Sequence, residues 1–116
     1  MDQRLAALAE DLEAALTLDD HLADSVLSVI AERTNIAVGK ADLDSTDRVL
    51  EVIYALKPGW SVTVKGTARL PNGHWRCTLR QSAEKDNDEY LGIARGPTLP
   101  HALLASLLKA LSFAAA

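Results

Sequence analysis

The one cysteine of the sequence is its most obvious candidate nucleophile. A thiol that attacks a substrate needs partial exposure and a nearby base or cation, because the thiolate is the reactive form. Cys77 alternates with Trp75 and Leu79, which puts all three on the apolar side of a predicted strand. We therefore predict a buried cysteine that packs as a small hydrophobic residue. A single cysteine allows no intramolecular disulfide, so oxidative export is not implied.

The histidines and carboxylates form no recognisable metal or catalytic motif. His21, His74 and His101 lack the paired spacing of a zinc site, so we predict three exposed histidines without a metal role. The acidic run 42–47 resembles a calcium loop only superficially, because it lacks the glycine at the sixth position and Ile53 stands at the twelfth. Helix capping explains these acids better. The sequence predicts no catalytic residue, no metal and no cofactor.

Four cations form the one cluster that points to binding. Lys65, Arg76 and Arg80 lie on the polar phase of two predicted strands, and Arg69 lies near the turn between them. On a chain of net charge −4, this gathers positive charge on one face of a sheet. Such a face is a possible partner-binding surface for a phosphate backbone or an acidic protein. Edge protection by charged side chains, or pairing with acids of the N-terminal helices, also explains it.

Hydrophobic periodicity predicts the elements that must position these residues. Apolar residues at helical spacing predict helices near 2–16, 20–33 and 45–56, and a last helix capped by Thr98. Strict alternation predicts strands at 60–65 and 75–80, which the turn at 71–73 joins into a hairpin. A third strand is predicted at 90–94, and the polar segment 82–89 is predicted as a solvated loop.

This element order predicts an α+β fold, in which a three-stranded antiparallel sheet is packed by helices. The 116 residues fit a single domain, with a helical N-terminal extension at 1–43 and a helix–strand–strand–strand–helix core at 44–113. A composition of 48% hydrophobic and 24% charged residues is ordinary for a globular protein. The chain has no signal peptide pattern and no long apolar run, which predicts a cytoplasmic protein with no membrane contact.

The segment from Asp44 to Leu111 combines four features in a fixed order. Its capped helix ends in Lys-Pro-Gly-Trp at 57–60, and an alternating strand follows at once. A second strand begins His-Trp-Arg-Cys-Thr-Leu at 74–79, and a leucine-rich helix closes the segment after Gly-Pro-Thr at 96–98. In these features the chain resembles the phage ABA sandwich domain family, which consists of small phage and prophage-associated proteins of bacteria. The resemblance implies a fold of this type and supplies no catalytic residue.

Two hypotheses of function follow from different protein classes. The first is a non-enzymatic binding or assembly module of phage origin, which binds an unknown protein partner or associates with itself. Self-association would use the leucine stripe of the first helix, unless that stripe packs on its own domain: Leu5, Leu8, Leu12 and Leu16. The alternative is a nucleic-acid-binding domain of double-stranded-RNA-binding topology that uses the basic sheet face. The start of the last helix, 98–101, lacks the lysines of such domains.

Overall fold

Four α-helices and a three-stranded antiparallel sheet build the part of the chain that the computed structural model describes, residues 3–15, 17–66, 75–80 and 92–114. The elements follow the predicted order, with one 3-10 helix added: α1 Gln3–Ala14, α2 Asp20–Arg33, the 3-10 helix Lys40–Asp44, α3 Thr46–Leu56, β1 Ser61–Lys65, β2 Trp75–Arg80, β3 Gly92–Gly96 and α4 Leu99–Ala114. The predicted α+β fold is confirmed. The predicted turn at 71–73, the loop at 82–89, Arg69 and His74 lie outside the described residues.

Local side-chain signals set the starts and ends of the helices. Asp19, Ser45 and Thr98 each accept a hydrogen bond from the backbone amide three residues later, at 2.8, 3.3 and 3.3 Å. These bonds satisfy amides that have no partner inside the helix. Pro58 excludes the preceding residue from helical geometry, and Gly59 then takes a positive φ of 82° that favours glycine. The chain thereby turns from α3 directly into β1.

The register of the sheet fixes which residues share a face. The strand order is β1-β2-β3, and all pairs are antiparallel. Because directly opposite residues point to the same side, Val64, Cys77 and Ala94 form one row, and Lys65, Arg76 and Arg95 form the next row on the other side. The first face packs on helices. The described third strand spans Gly92–Gly96, and residues 90 and 91 of the predicted strand lie outside the described residues.

Helix α4 lies at the centre of the molecule. The sequence predicts one apolar face for it, yet almost every side chain described on α4 is buried, including small residues between the leucines. The sheet covers one side of the helix, and α1 and α3 cover the other. Gly92 and Gly96 allow the sheet to approach closely, since a Cβ built on Gly92 would lie 2.2 Å from the backbone oxygen of Ser106. The core is therefore layered on both sides of one helix.

The leucine stripe of α1 is used inside the domain. Leu5 and Leu12 are fully buried, and Leu8 is partly buried against the core. Helix α1 packs along α4, and its residues join the same core cluster as those of α2 and α3. This stripe is therefore not a free surface for assembly, and Leu16 lies outside the described residues. The division at residue 43 stays a prediction.

Two side chains differ from the prediction. His101 was expected to be exposed, but only 5% of it is accessible, and its Nε2 donates a hydrogen bond to the carbonyl oxygen of Leu12. The end of α1 covers the first turn of α4, which explains the burial. Val64 has the predicted apolar phase but is 40% exposed, because α4 lies over β2 and β3 rather than β1. Trp60 and Trp75 are partly buried and pack against the core.

Candidate binding surface

The sheet face opposite α4 is not covered by that helix. We call it the open sheet face, and it consists of eight residues: Ser61, Thr63, Lys65, Arg76, Thr78, Arg80, Ile93 and Arg95. The described helices that contact the sheet are α4 and α1, and α4 packs on the other side. Four of the eight residues are exposed, and the other four are partly exposed.

One end of this face carries a row of three cations, one from each strand. Lys65 lies opposite Arg76, and Arg76 lies opposite Arg95. Opposite residues in antiparallel strands have Cα atoms about 4.5–5.5 Å apart, so the cation row spans roughly 10 Å. All three side chains are exposed. The row therefore presents two guanidinium groups and one ammonium group side by side to solvent.

The cation row has no acidic partner within the described chain. The salt bridges described there join other cations to acids on the helices and on the 3-10 helix, and none involves Lys65, Arg76 or Arg95. Like charges directly opposite in a sheet are destabilising. Pairing with acids of the N-terminal helices, one of the explanations left open by the sequence, therefore does not account for this row in the described residues.

The four predicted binding residues have different outcomes. Lys65 and Arg76 lie next to each other on the open sheet face, as the hairpin phase predicts. Arg80 is on the same face but at the other end, opposite Ser61, and it is partly buried and has contacts of its own. Arg69 lies outside the described residues. Arg95 is not among the residues predicted from the sequence, because the apolar residues of the third strand do not alternate clearly enough to give its phase.

The described residues in the middle of the open sheet face have short side chains and no aromatic ring. Thr63, Thr78 and Ile93 lie opposite one another between the cation row and Arg80. Nucleic-acid-binding sheets that read single strands stack bases on aromatic side chains. The described part of this face offers hydroxyl groups and one aliphatic side chain instead. This middle part can contact an extended chain, and it offers no aromatic ring on which a base could stack.

The outer edge of β3 is closed by a pair of charged side chains. Glu13 accepts a hydrogen bond from the amide of Arg95 at 3.1 Å, and Lys109 donates to the carbonyl oxygen of Ile93 at 2.8 Å. Glu13 and Lys109 also form a salt bridge with each other. The two side chains thus satisfy backbone groups that would otherwise be open to another strand. These two contacts therefore protect part of this edge against pairing with another strand.

An open cleft of about 410 Å³ lies between α1 and α2. Arg4 and Glu32 form a 3.1 Å salt bridge beside it, and His21 and Asp11 lie on its wall. In the described residues, the serine hydroxyls that donate hydrogen bonds donate to backbone carbonyls rather than to a base. On the wall of this cleft, the hydroxyl of Ser25 donates to the backbone carbonyl oxygen of His21 at 3.0 Å.

Cys77 is confirmed as a buried core residue and is fully inaccessible. Burial raises the pKa of its thiol to about 12, so the reactive thiolate is strongly disfavoured. The residues described also contain no group of three or more potential metal ligands. These observations leave the open sheet face as the surface with the clearest chemistry, which is the binding of anions.

Comparisons of the chain with protein-family models, with curated proteins and with solved structures give no match. The resemblance to the phage ABA sandwich domain family therefore stays a prediction. Within the ranges that the structure describes, every helix is too short or too polar to cross a membrane. A function for this chain therefore has to be inferred from its own residues and their geometry.

Proposed function

We propose that this chain is a non-enzymatic binding module of phage or prophage origin that acts in the bacterial cytoplasm. Its binding surface is the open sheet face, and its ligand is an acidic segment of a protein partner. Lys65, Arg76 and Arg95 make the primary contacts. Arg guanidinium groups bind carboxylates through paired, charge-assisted hydrogen bonds, which give both affinity and geometric specificity.

The cation row is the observation that carries this proposal. Three like charges on neighbouring strands repel one another, and no described salt bridge joins any of the three side chains to an acid. A carboxylate-bearing ligand would relieve it on binding. This excess of positive charge is local to the sheet face, because the net charge of the chain is −4 and exposed acids such as Asp24 and Glu51 lie on the helices. The proposed ligand therefore approaches the sheet rather than the helices.

Two features favour an acidic protein segment over a nucleic acid. The described part of the open sheet face has no aromatic side chain for stacking bases. The first turn of α4 would contact phosphates in a double-stranded-RNA-binding domain, but here Pro100 and His101 are buried in it. The Nε2 atom of His101 donates its hydrogen bond to the carbonyl oxygen of Leu12, so it is not available to a phosphate.

Nucleic acid remains the second candidate because the cation row would also suit a phosphate backbone. A site of three cations should give a weak complex whose affinity falls with salt, with a slope of about −2 to −3 in a plot of log K against log salt. An acidic peptide should show a weaker dependence on salt, because its low charge density condenses few counterions to release. The two ligands are thus distinguishable by titration.

The test measures binding of a fluorescent glutamate-rich peptide and of a short RNA duplex by anisotropy. The variant Arg76→Glu/Arg95→Glu reverses two charges of the cation row. The matched control Arg4→Glu/Lys40→Glu changes the net charge equally but alters exposed cations on the helix side. We expect the first variant to lose at least about tenfold in affinity for the peptide, which corresponds to about 1.4 kcal/mol, while the control retains binding.

Equal losses in the two variants would mean that net charge alone governs binding, and the proposed surface would be wrong. Binding of the RNA duplex but not the peptide, with loss only in the sheet variant, would favour the second candidate. Circular dichroism of each variant checks that the fold is kept. Lys65→Met adds a milder change, which should weaken peptide binding without reversing a charge.

A further inference from the structure

The two edges of the sheet differ in how they are protected. The β3 edge is closed by Glu13 and Lys109, as described above. No described element lies beside β1 on the side away from β2. Exposed edges with open backbone groups readily pair with another strand, and natural proteins usually block them. The open edge of β1 is therefore a potential interaction surface.

The β3 contacts reveal which backbone groups of β1 point outward. The carbonyl of Ile93 and the amide of Arg95 point away from β2. Because outward and inward residues alternate along a strand, the backbone groups of Gly92, Ala94 and Gly96 bond to β2. Following the register across β2, Thr63 bonds inward to Thr78. Val62 and Val64 then direct their amides and carbonyls to the open edge. The described hydrogen bonds include no partner for these outward groups.

A second copy of β1 fits this edge in an antiparallel register centred on Thr63. With Thr63 opposite its own copy, Val62 lies opposite Val64 of the second chain, and the reverse pair follows by symmetry. The outward-directed residues of both strands then form the hydrogen-bonded pairs, as an antiparallel ladder requires. A shift of one residue would place inward-directed residues at the interface. Registers centred on Val62 or Val64 satisfy the same hydrogen-bonding pattern and symmetry, but only the register centred on Thr63 pairs all five residues of β1.

Side chains also match in this register. On the helix side, the two valine pairs cover the 40% exposed Val64 and the partly exposed Val62. On the open sheet face, Thr63 meets its own copy and Lys65 meets Ser61, so no two like charges are directly opposite. An extended acidic peptide at this edge would bring carboxylates beside the exposed valines. The self-complementary pattern therefore favours a second copy.

We infer that the chain forms a two-fold symmetric dimer through antiparallel pairing of β1 with β1 of a second copy. The result is a continuous six-stranded sheet with the order β3-β2-β1-β1-β2-β3. The axis is perpendicular to the sheet, so both open sheet faces and both cation rows point to the same side. One strand pair buries little area, so the dimer is weak and forms reversibly with concentration.

The register is tested by disulfide trapping. Thr63→Cys places two thiols opposite each other in a non-hydrogen-bonded pair, where the Cα separation of about 4.5 Å permits a disulfide. Ser61→Cys is the matched control, because in this register its partner is Lys65 rather than another cysteine. The native Cys77 is buried and does not compete. In a glutathione redox buffer, we expect Thr63→Cys to give several-fold more covalent dimer than Ser61→Cys.

A second measurement uses the wild-type chain and does not depend on cysteine. Sedimentation equilibrium should show a reversible rise toward twice the monomer mass as concentration increases. Val64→Pro should remain monomeric, because proline removes an outward amide that the monomer does not use. Val64→Thr retains that amide and should still dimerise.

The two measurements decide the inference together. A wild-type chain that stays monomeric, with equal trapping of Thr63→Cys and Ser61→Cys, would overturn it. Efficient trapping of Thr63→Cys supports it even if Val64→Pro does not fold. Neither readout involves the acidic peptide, so this inference can fail while the proposed function stands, and the reverse is equally possible.

Discussion

Replacing Gly92 by alanine tests the close packing of the sheet on α4. A Cβ built at this position lies 2.2 Å from the backbone oxygen of Ser106 and 3.1 Å from the amide nitrogen of Ala110. A Cβ atom in ordinary contact lies 3.4–4 Å from its neighbours. The backbones of β3 and α4 must therefore move apart by roughly 1 Å. Both contacting atoms belong to the helix backbone, so no side-chain rotation can relieve the overlap.

The expected cost follows from the packing lost along the helix. Overpacking of this kind costs about 1–3 kcal/mol, and a backbone clash belongs at the upper end. Alanine also restricts the unfolded chain, which offsets about 0.4–1 kcal/mol. We therefore expect Gly92→Ala to lower the free energy of unfolding by about 2 kcal/mol. That is a large share of the roughly 5–15 kcal/mol that stabilises a typical domain.

Gly39 and Gly59 supply matched controls for the same chemical change. Gly39 has an ordinary φ of −108°. The nearest atom to a Cβ built there is the carboxylate Oδ2 of Asp42, at 3.9 Å. Gly39→Ala should therefore be neutral or stabilising by about 0.5 kcal/mol. Gly59 has open space but a φ of 82°, so its alanine variant should lose about 1 kcal/mol through backbone strain alone.

Urea unfolding followed by tryptophan fluorescence measures all three variants, since Trp60 and Trp75 are partly buried in the fold. The order of stability should be Gly39→Ala, then Gly59→Ala, then Gly92→Ala. If the Gly92 and Gly39 variants unfold within about 0.5 kcal/mol of each other, β3 does not pack closely on α4 and the layered core described above is wrong.

Three further predictions concern single side chains. The pKa of about 12 for Cys77 means that iodoacetamide should label the native chain only through unfolding, and the free energy of unfolding should fall as the pH rises from 9.0 toward 12, where the unfolded thiol ionises and the folded one does not; rapid native labelling would contradict this. His101→Leu should lose about 1 kcal/mol in urea unfolding, because the carbonyl of Leu12 loses the hydrogen bond from His101 and keeps the one from the Ala15 amide; an unchanged midpoint would show that the bond from His101 contributes nothing. Glu13→Ala should lose about 1 kcal/mol and leave the β3 edge open, and hydrogen exchange at the amide of Arg95 should accelerate; an unchanged exchange rate would contradict the contact.

Much of the fold could be predicted because its signals are local. Caps such as Ser45 and breaks such as the Pro58-Gly59 pair act within a few residues, so they can be recognised without knowledge of the tertiary structure. The alternation in β1 and β2 likewise predicts which face each side chain takes. The burial of His101 and the exposure of Val64 could not be predicted in this way. They depend on where α1 ends and how far α4 extends over the sheet, and both are tertiary facts.

Arg95, the third residue of the cation row, could not be predicted for a more specific reason. Alternation is normally read from large apolar residues, and in β3 the one large apolar residue, Ile93, lies on the open sheet face. The buried positions hold Gly92, Ala94 and Gly96, because α4 approaches too closely for larger side chains. Small size rather than hydropathy therefore marks the buried face of this strand. Applying that rule to the sequence Gly-Ile-Ala-Arg-Gly places Arg95 outward, beside Arg76, and completes the cation row on which the proposed function depends.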